Sequence, residues 1–94
     1  MADTRVDSIR EILEDLVMLL VDFPDEVKVE IAGTADTVVF TLKVHDDDIG
    51  KVIGRQGVVA HSLRTLVISC CGRLKKQAIL EIPAKPKDGV ERGK

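Results

Sequence analysis

The segment His45–Ser62, HDDDIGKVIGRQGVVAHS, places three of the chain's seven glycines between two regular patterns. Before it, Val38, Phe40, Leu42 and Val44 alternate with other residues, as in a half-buried strand. After it, Ala60, Leu63, Val67 and Cys70 fall on one face of a helix spanning roughly Val58–Cys71. Ile49–Gly54 reads as one short helix, so Gly54–Gly57 must turn the chain sharply from one helix into the next. Glycine supplies the positive-φ conformations such a corner requires, and it leaves room for another backbone to approach.

The rest of the chain fits around this corner. Val6, Ile9, Ile12, Leu13, Leu16, Val17 and Leu20 recur at three- and four-residue steps, which predicts an amphipathic first helix. Thr4 and Asp7 mark its start, Glu11, Glu14 and Asp15 its wet side, and Pro24 its stop. In VKVEI, Val27, Val29 and Ile31 point inward from a strand. GTAD at Gly33–Asp36 then turns it into the next strand, an antiparallel hairpin. Asp46–Asp48 are expected to cap the short helix, and Gly72 to end the long one. Lys75–Ile82 is the third strand. The predicted order is helix, strand, strand, helix, helix, strand. It gives an α+β fold with a three-stranded mixed sheet and three helices on one face. Residues 1–84 form the expected domain, and 85–94 a flexible charged tail.

Composition excludes several functions. With 45% apolar and 32% charged residues, the 94-residue chain supports one small core and a wet surface. Phe23 and Phe40 are its only aromatics, which argues against base or sugar stacking on rings. The apolar run Leu16–Val21 is too short to span a bilayer, and acidic residues precede it, unlike a signal peptide. Cys70 and Cys71 are adjacent and form neither a disulfide framework nor a zinc site. A reduced, cytoplasmic protein is expected. Residues 1–48 carry 4 basic and 13 acidic side chains, residues 49–94 carry 10 and 3, and the sign changes at the glycine corner. Either the charges solvate separate faces or the second half meets a polyanion.

The corner itself resembles an anion seat. The helix that follows it presents unpaired N–H groups and a positive dipole end. Arg55 projects where it can pair with a phosphate oxygen, and Gln56 where it can hydrogen-bond. Other phosphate motifs fail. A Walker loop needs Lys and Ser or Thr after the last glycine, whereas Arg55 and Gln56 follow Gly54. A dinucleotide fingerprint needs glycine where Val52 stands.

IGKVIGRQGVVAHSLRTLV is similar to the signature of a KH domain, in which a Gly-x-x-Gly loop separates two short helices. The element order resembles the type II, prokaryotic form over roughly residues 5–83. The resemblance is strongest to the small bacterial single-KH RNA-binding proteins, the KH domain protein A family. It implies that single-stranded RNA lies beside Gly54, Arg55, Gln56 and Gly57, between the helix pair and the sheet edge. Ile49, Val52 and Ile53 would touch bases, and Lys51, Arg55 and Arg64 would meet phosphates. An RNA chaperone or post-transcriptional regulator is the implied role, with self-pairing or pairing with a larger KH-bearing RNA-binding protein.

Two departures bear on this expectation. Val58, Val59 and His61 stand where such domains often carry polar or basic residues. Within residues 45–64, Lys51, Arg55 and Arg64 are balanced by Asp46, Asp47 and Asp48. Few phosphate contacts imply modest, salt-sensitive affinity. An alternative is therefore a KH-fold module whose exposed valines mediate dimerisation, with weak or no RNA binding of its own. Gly50 reads as a helix-packing glycine, and His45 and His61 as surface or satisfied histidines. Cys70 and Cys71 read as small packing residues. No nucleophile, base and oxyanion site assembles, so no enzyme, cofactor or metal is expected.

Overall fold

The computed structural model describes residues 4–83. Its elements are α1 (Thr4–Met18), β1 (Lys28–Gly33), β2 (Thr37–Lys43), α2 (Ile49–Ile53), α3 (Val58–Arg73) and β3 (Gln77–Glu81). Short 3-10 turns occupy Pro24–Glu26, Asp46–Asp48 and Arg55–Gly57. The α+β order is the expected type II arrangement. β2 lies at the centre of the sheet, antiparallel to β1 and parallel to β3. The antiparallel register pairs Val29 with Leu42, and the parallel one pairs Phe40 with Leu80.

Val38, Phe40 and Leu42 of β2 are buried, and they meet Val29 of β1 and Leu80 of β3 in one core. Val6, Leu13 and Val17 of α1 close over it, together with Val52 of α2 and Leu63, Val67 and Cys71 of α3. Each such side chain contributes about 1.5–3 kcal/mol on leaving water. The hydrogen bonds of the sheet and this single apolar layer fix α2 and α3 relative to β3, the geometry on which the corner depends.

Several expectations need correction. In α1, Ile12, Leu16 and Leu20 are exposed, so its apolar surface is wider than the core it covers. The helix ends at Met18 and not against Pro24, which instead opens a 3-10 turn. Glu14 is not on the wet side; its carboxylate accepts from the Val29 N–H of β1 at 2.9 Å. Ile31 lies opposite Phe40 but is 36% exposed, near the open end of β1. In α3 the buried cysteine is Cys71 and Cys70 is exposed. Burial pushes the Cys71 thiol above its ordinary pKa.

Gly72 does not terminate α3. The Lys76 N–H donates to Cys71 O and the Lys75 N–H to Gly72 O, both at 3.0 Å, and Lys75 takes φ 63°. This is a Schellman end with lysine in the left-handed seat. The third strand is consequently shorter than the predicted Lys75–Ile82. The charged tail at 85–94 lies outside the described residues. Among the described residues no helix is long and apolar enough to cross a membrane.

Candidate nucleic-acid interface

The chain reaches the corner through a tightly tied loop. His45 stacks on Phe23, ring centroids 4.1 Å apart, and its Nδ1 accepts from the Asp47 N–H at 3.0 Å. Both histidine expectations pointed to the surface or to satisfied groups; His45 is the satisfied one, and His61 is exposed. The aspartates do not cap α2 as expected, because Asp48 makes no side-chain bond there. Asp48 is fully buried and reaches back to the segment after α1, accepting from the Asp22 N–H at 3.1 Å and the Phe23 N–H at 3.0 Å. Burial of a carboxylate is tolerable when both oxygens are bonded in this way.

α2 ends where the Gly54 N–H donates to Gly50 O at 2.8 Å. Gly54 then takes φ 80°, ψ 172°, a region open essentially to glycine alone. A Cβ at Gly54 would lie 2.5 Å from Val59 Cγ2 and 2.9 Å from the Val59 amide nitrogen. Gln56 at φ 56° and Gly57 at φ 75° are both left-handed. Gly57 caps α3 without any side-chain bond, and a Cβ built on it meets no heavy atom within 4 Å. The corner thus combines a tightly packed glycine with a bare one at the positive end of a sixteen-residue helix.

Arg55 and Gln56 are exposed at the tip, and among the described residues no carboxylate pairs with Arg55. Ile49 and Ile53 are half-buried on α2. Val52 is 0% exposed and belongs to the core, so it has no surface to offer a base. Arg64, one helical stretch further on, donates through Nε to Leu80 O at 3.2 Å, tying α3 to the edge strand β3. Lys51 is exposed, but its Nζ lies 3.2 Å from Asp22 Oδ2 and 3.7 Å from Asp48 Oδ1. Its pKa is raised, first by the hydrogen bond to Asp22.

Gly50 is not a helix-packing glycine: it is exposed, and an added Cβ would meet nothing within 4 Å. Val58 is 57% exposed as expected, whereas Val59 is half-buried against Gly54. Sequence reasoning missed Asp22 and Asp48. Only the packing of the segment after α1 against α2 brings them to Lys51, and no local spacing announces it. Among the described residues no group of three or more His, Cys, Asp or Glu side chains is placed to hold a metal ion.

A family profile described as KhpA/KhpB, KH domain, matches residues 10–82. The RNA-binding protein KhpA of Clostridium acetobutylicum is 37% identical over 73 residues, covering 78% of this chain and 97% of its own. KhpA of Borreliella burgdorferi is 38% identical over 72 residues, covering 77% and 88%. KhpA of Streptomyces coelicolor is 46% identical over 65 residues, covering 69% and 82%. No solved structure matches the chain. With the profile spanning most of the sequence and relatives at this identity along nearly their whole length, the chain belongs to the KhpA/KhpB KH-domain family.

Proposed function

We propose that this chain is a non-enzymatic, cytoplasmic RNA-binding protein that grips single-stranded RNA at the Gly54–Gly57 corner. The carrying observation is the bare corner: Gly57 opens α3 with no side chain capping it and nothing within 4 Å of its missing Cβ. A sugar–phosphate strand can come close enough there to meet main-chain donors. Arg55 and Gln56 flank that seat, Arg64 and Lys51 supply further charge, and Ile49 and Ile53 offer aliphatic surface to bases. The names of the relatives agree with this chemistry. A role as RNA chaperone or post-transcriptional regulator follows from weak, sequence-tolerant binding.

The test is a titration of labelled short single-stranded RNA with the full chain. Replacing Arg55 and Gln56 together by aspartate is expected to weaken binding by about a hundredfold or more, through two lost contacts and added repulsion. Circular dichroism should remain unchanged, since both side chains are exposed. An unaltered affinity in that variant removes the role given to the corner.

A second reading is favoured by a separate observation. Ile9, Ile12 and Leu16 of α1 and Leu66 and Cys70 of α3 line an open apolar groove on the helical layer, with no charged residue in its lining. Exposed apolar surface of this kind marks a protein contact. We infer that a second copy of the chain covers it, and that a larger KH-bearing protein competes for the same face. A monomer mass by light scattering at high protein concentration would remove this reading and leave the first intact.

A further inference from the structure

Lys51 follows the bare Gly50 on α2 and precedes the corner by three residues, yet in the free protein its ammonium is already engaged. Nζ lies 3.2 Å from Asp22 Oδ2 and 3.7 Å from Asp48 Oδ1. These carboxylates come from opposite sides of the hairpin in sequence, and their meeting is built rather than fortuitous. Asp48 is fully buried and takes the backbone N–H groups of Asp22 and Phe23 on its two oxygens. The stack of Phe23 on His45 holds the same segment from its other side. The main chain of Asp22 is therefore pinned, while its side chain, 69% exposed, is free to leave.

We propose that Asp22 is a positioning residue that serves Lys51 as an internal counter-ion, holding the lysine in the free protein and yielding it to an RNA phosphate on binding. The proposal rests on the RNA-binding reading above. An exposed pair of this kind is weak, so a phosphate can displace it. Lys51 keeps its charge throughout neutral pH, because both carboxylates raise its pKa, the Asp22 hydrogen bond most. The contest at Lys51 is thus between two anions and not a titration. When a phosphate replaces Asp22, no solution counter-ion need be released at Lys51. Lys51 then adds little to affinity and nothing to its salt dependence. Asp22 would in this way keep the interface weak and exchangeable.

The experiment uses the full chain, with a fluorescently labelled short oligouridylate as probe, titrated by anisotropy over a range of salt. Asp22→Asn keeps the backbone N–H that Asp48 binds and removes only the charge. It is expected to bind about three- to fivefold more tightly at low salt, since exposed pairs fall in this range. Its log–log salt slope should steepen by about 0.7, one extra counter-ion on a single strand. Both gains should vanish when Asp22→Asn is combined with Lys51→Ala. Asp25→Asn, an exposed acid in the following turn, should leave the slope unchanged. Without RNA, the Lys51 pKa read by NMR should fall in Asp22→Asn.

An unchanged slope in Asp22→Asn overturns the proposal, as does a gain that persists without Lys51, which would reflect general field alone. A Lys51 pKa indifferent to Asp22→Asn also overturns it, and does so whatever RNA does. If neither wild type nor any variant binds the probe while the Lys51 pKa does fall, it is the RNA-binding reading that fails, taking the displacement step with it and leaving only the ion pair.

Discussion

An alanine at Gly54 and an alanine at Gly50 are the same chemical change with opposite expected outcomes. At Gly54 the backbone sits at φ 80°, ψ 172°, and the new methyl would strike both the side chain and the amide of Val59. Gly54→Ala is expected to destabilise the fold by about 3 kcal/mol, combining strain with a clash against main chain. At Gly57 the φ of 75° is strained for alanine, but space is open, so the cost falls to about 1 kcal/mol. At Gly50 nothing lies within 4 Å and the residue is helical, so alanine should stabilise by about 0.5–1 kcal/mol. Urea denaturation of the three variants checks this ranking, and a Gly54→Ala variant as stable as the wild type would contradict the packing described. The sequence spacing makes the Gly-x-x-Gly corner visible, because a turn between two helical periods demands glycine. It does not distinguish the crowded glycine from the bare ones. That difference is set by Val59, whose half-burial depends on the exact angle between α2 and α3.

At the scale of elements, the periodic segments were the legible ones. β2 alternates because one face meets the core and the other does not, and Ala60, Leu63 and Val67 repeat because α3 buries one stripe. Ends and edges were less so. Gly72 looks like the stop of α3, yet Lys75 holds the left-handed position, since the return to β3 fixes where the chain must reverse. Lysine there gives up conformational energy that glycine would not. Lys75→Gly is therefore expected to stabilise the protein by about 1 kcal/mol. For a domain of this size that raises Tm by about 4–8 °C in a thermal melt, and an unchanged or lower Tm would refute the Schellman end as drawn. The sheet edges show the same limit of local reasoning. Glu14 of α1 reads as a solvent-facing acid, but it binds the Val29 N–H of β1, and Arg64 of α3 binds Leu80 O of β3. Each edge strand thus has one backbone group engaged by a helix, which blunts its tendency to pair with another chain. Neither partnership is encoded within a single element.

At the scale of the whole molecule, a small two-layer fold cannot cover every apolar side chain its helices carry. The first helix spreads its apolar residues over more than one face, so Ile12 is 60% exposed, and Leu66 of α3 beside the same groove is 54% exposed. The sequence offered these residues as core, because period alone cannot say which side of a stripe meets the sheet. If a second copy covers this groove, two RNA seats with few free cations become joined in one particle. The second binding event is then intramolecular, and avidity replaces the affinity each corner lacks. The full chain is expected to bind a single-stranded RNA long enough to reach both seats about tenfold or more tightly than a short one carrying a single site. Leu66→Asp should abolish that difference and return a monomer mass by light scattering. Its affinity for the short RNA should hold, because a substitution at an exposed position leaves the fold within about 0.5 kcal/mol of the wild type. A length preference that survives in monomeric Leu66→Asp would mean that one corner reads the longer strand alone, and the groove would then have no part in RNA binding.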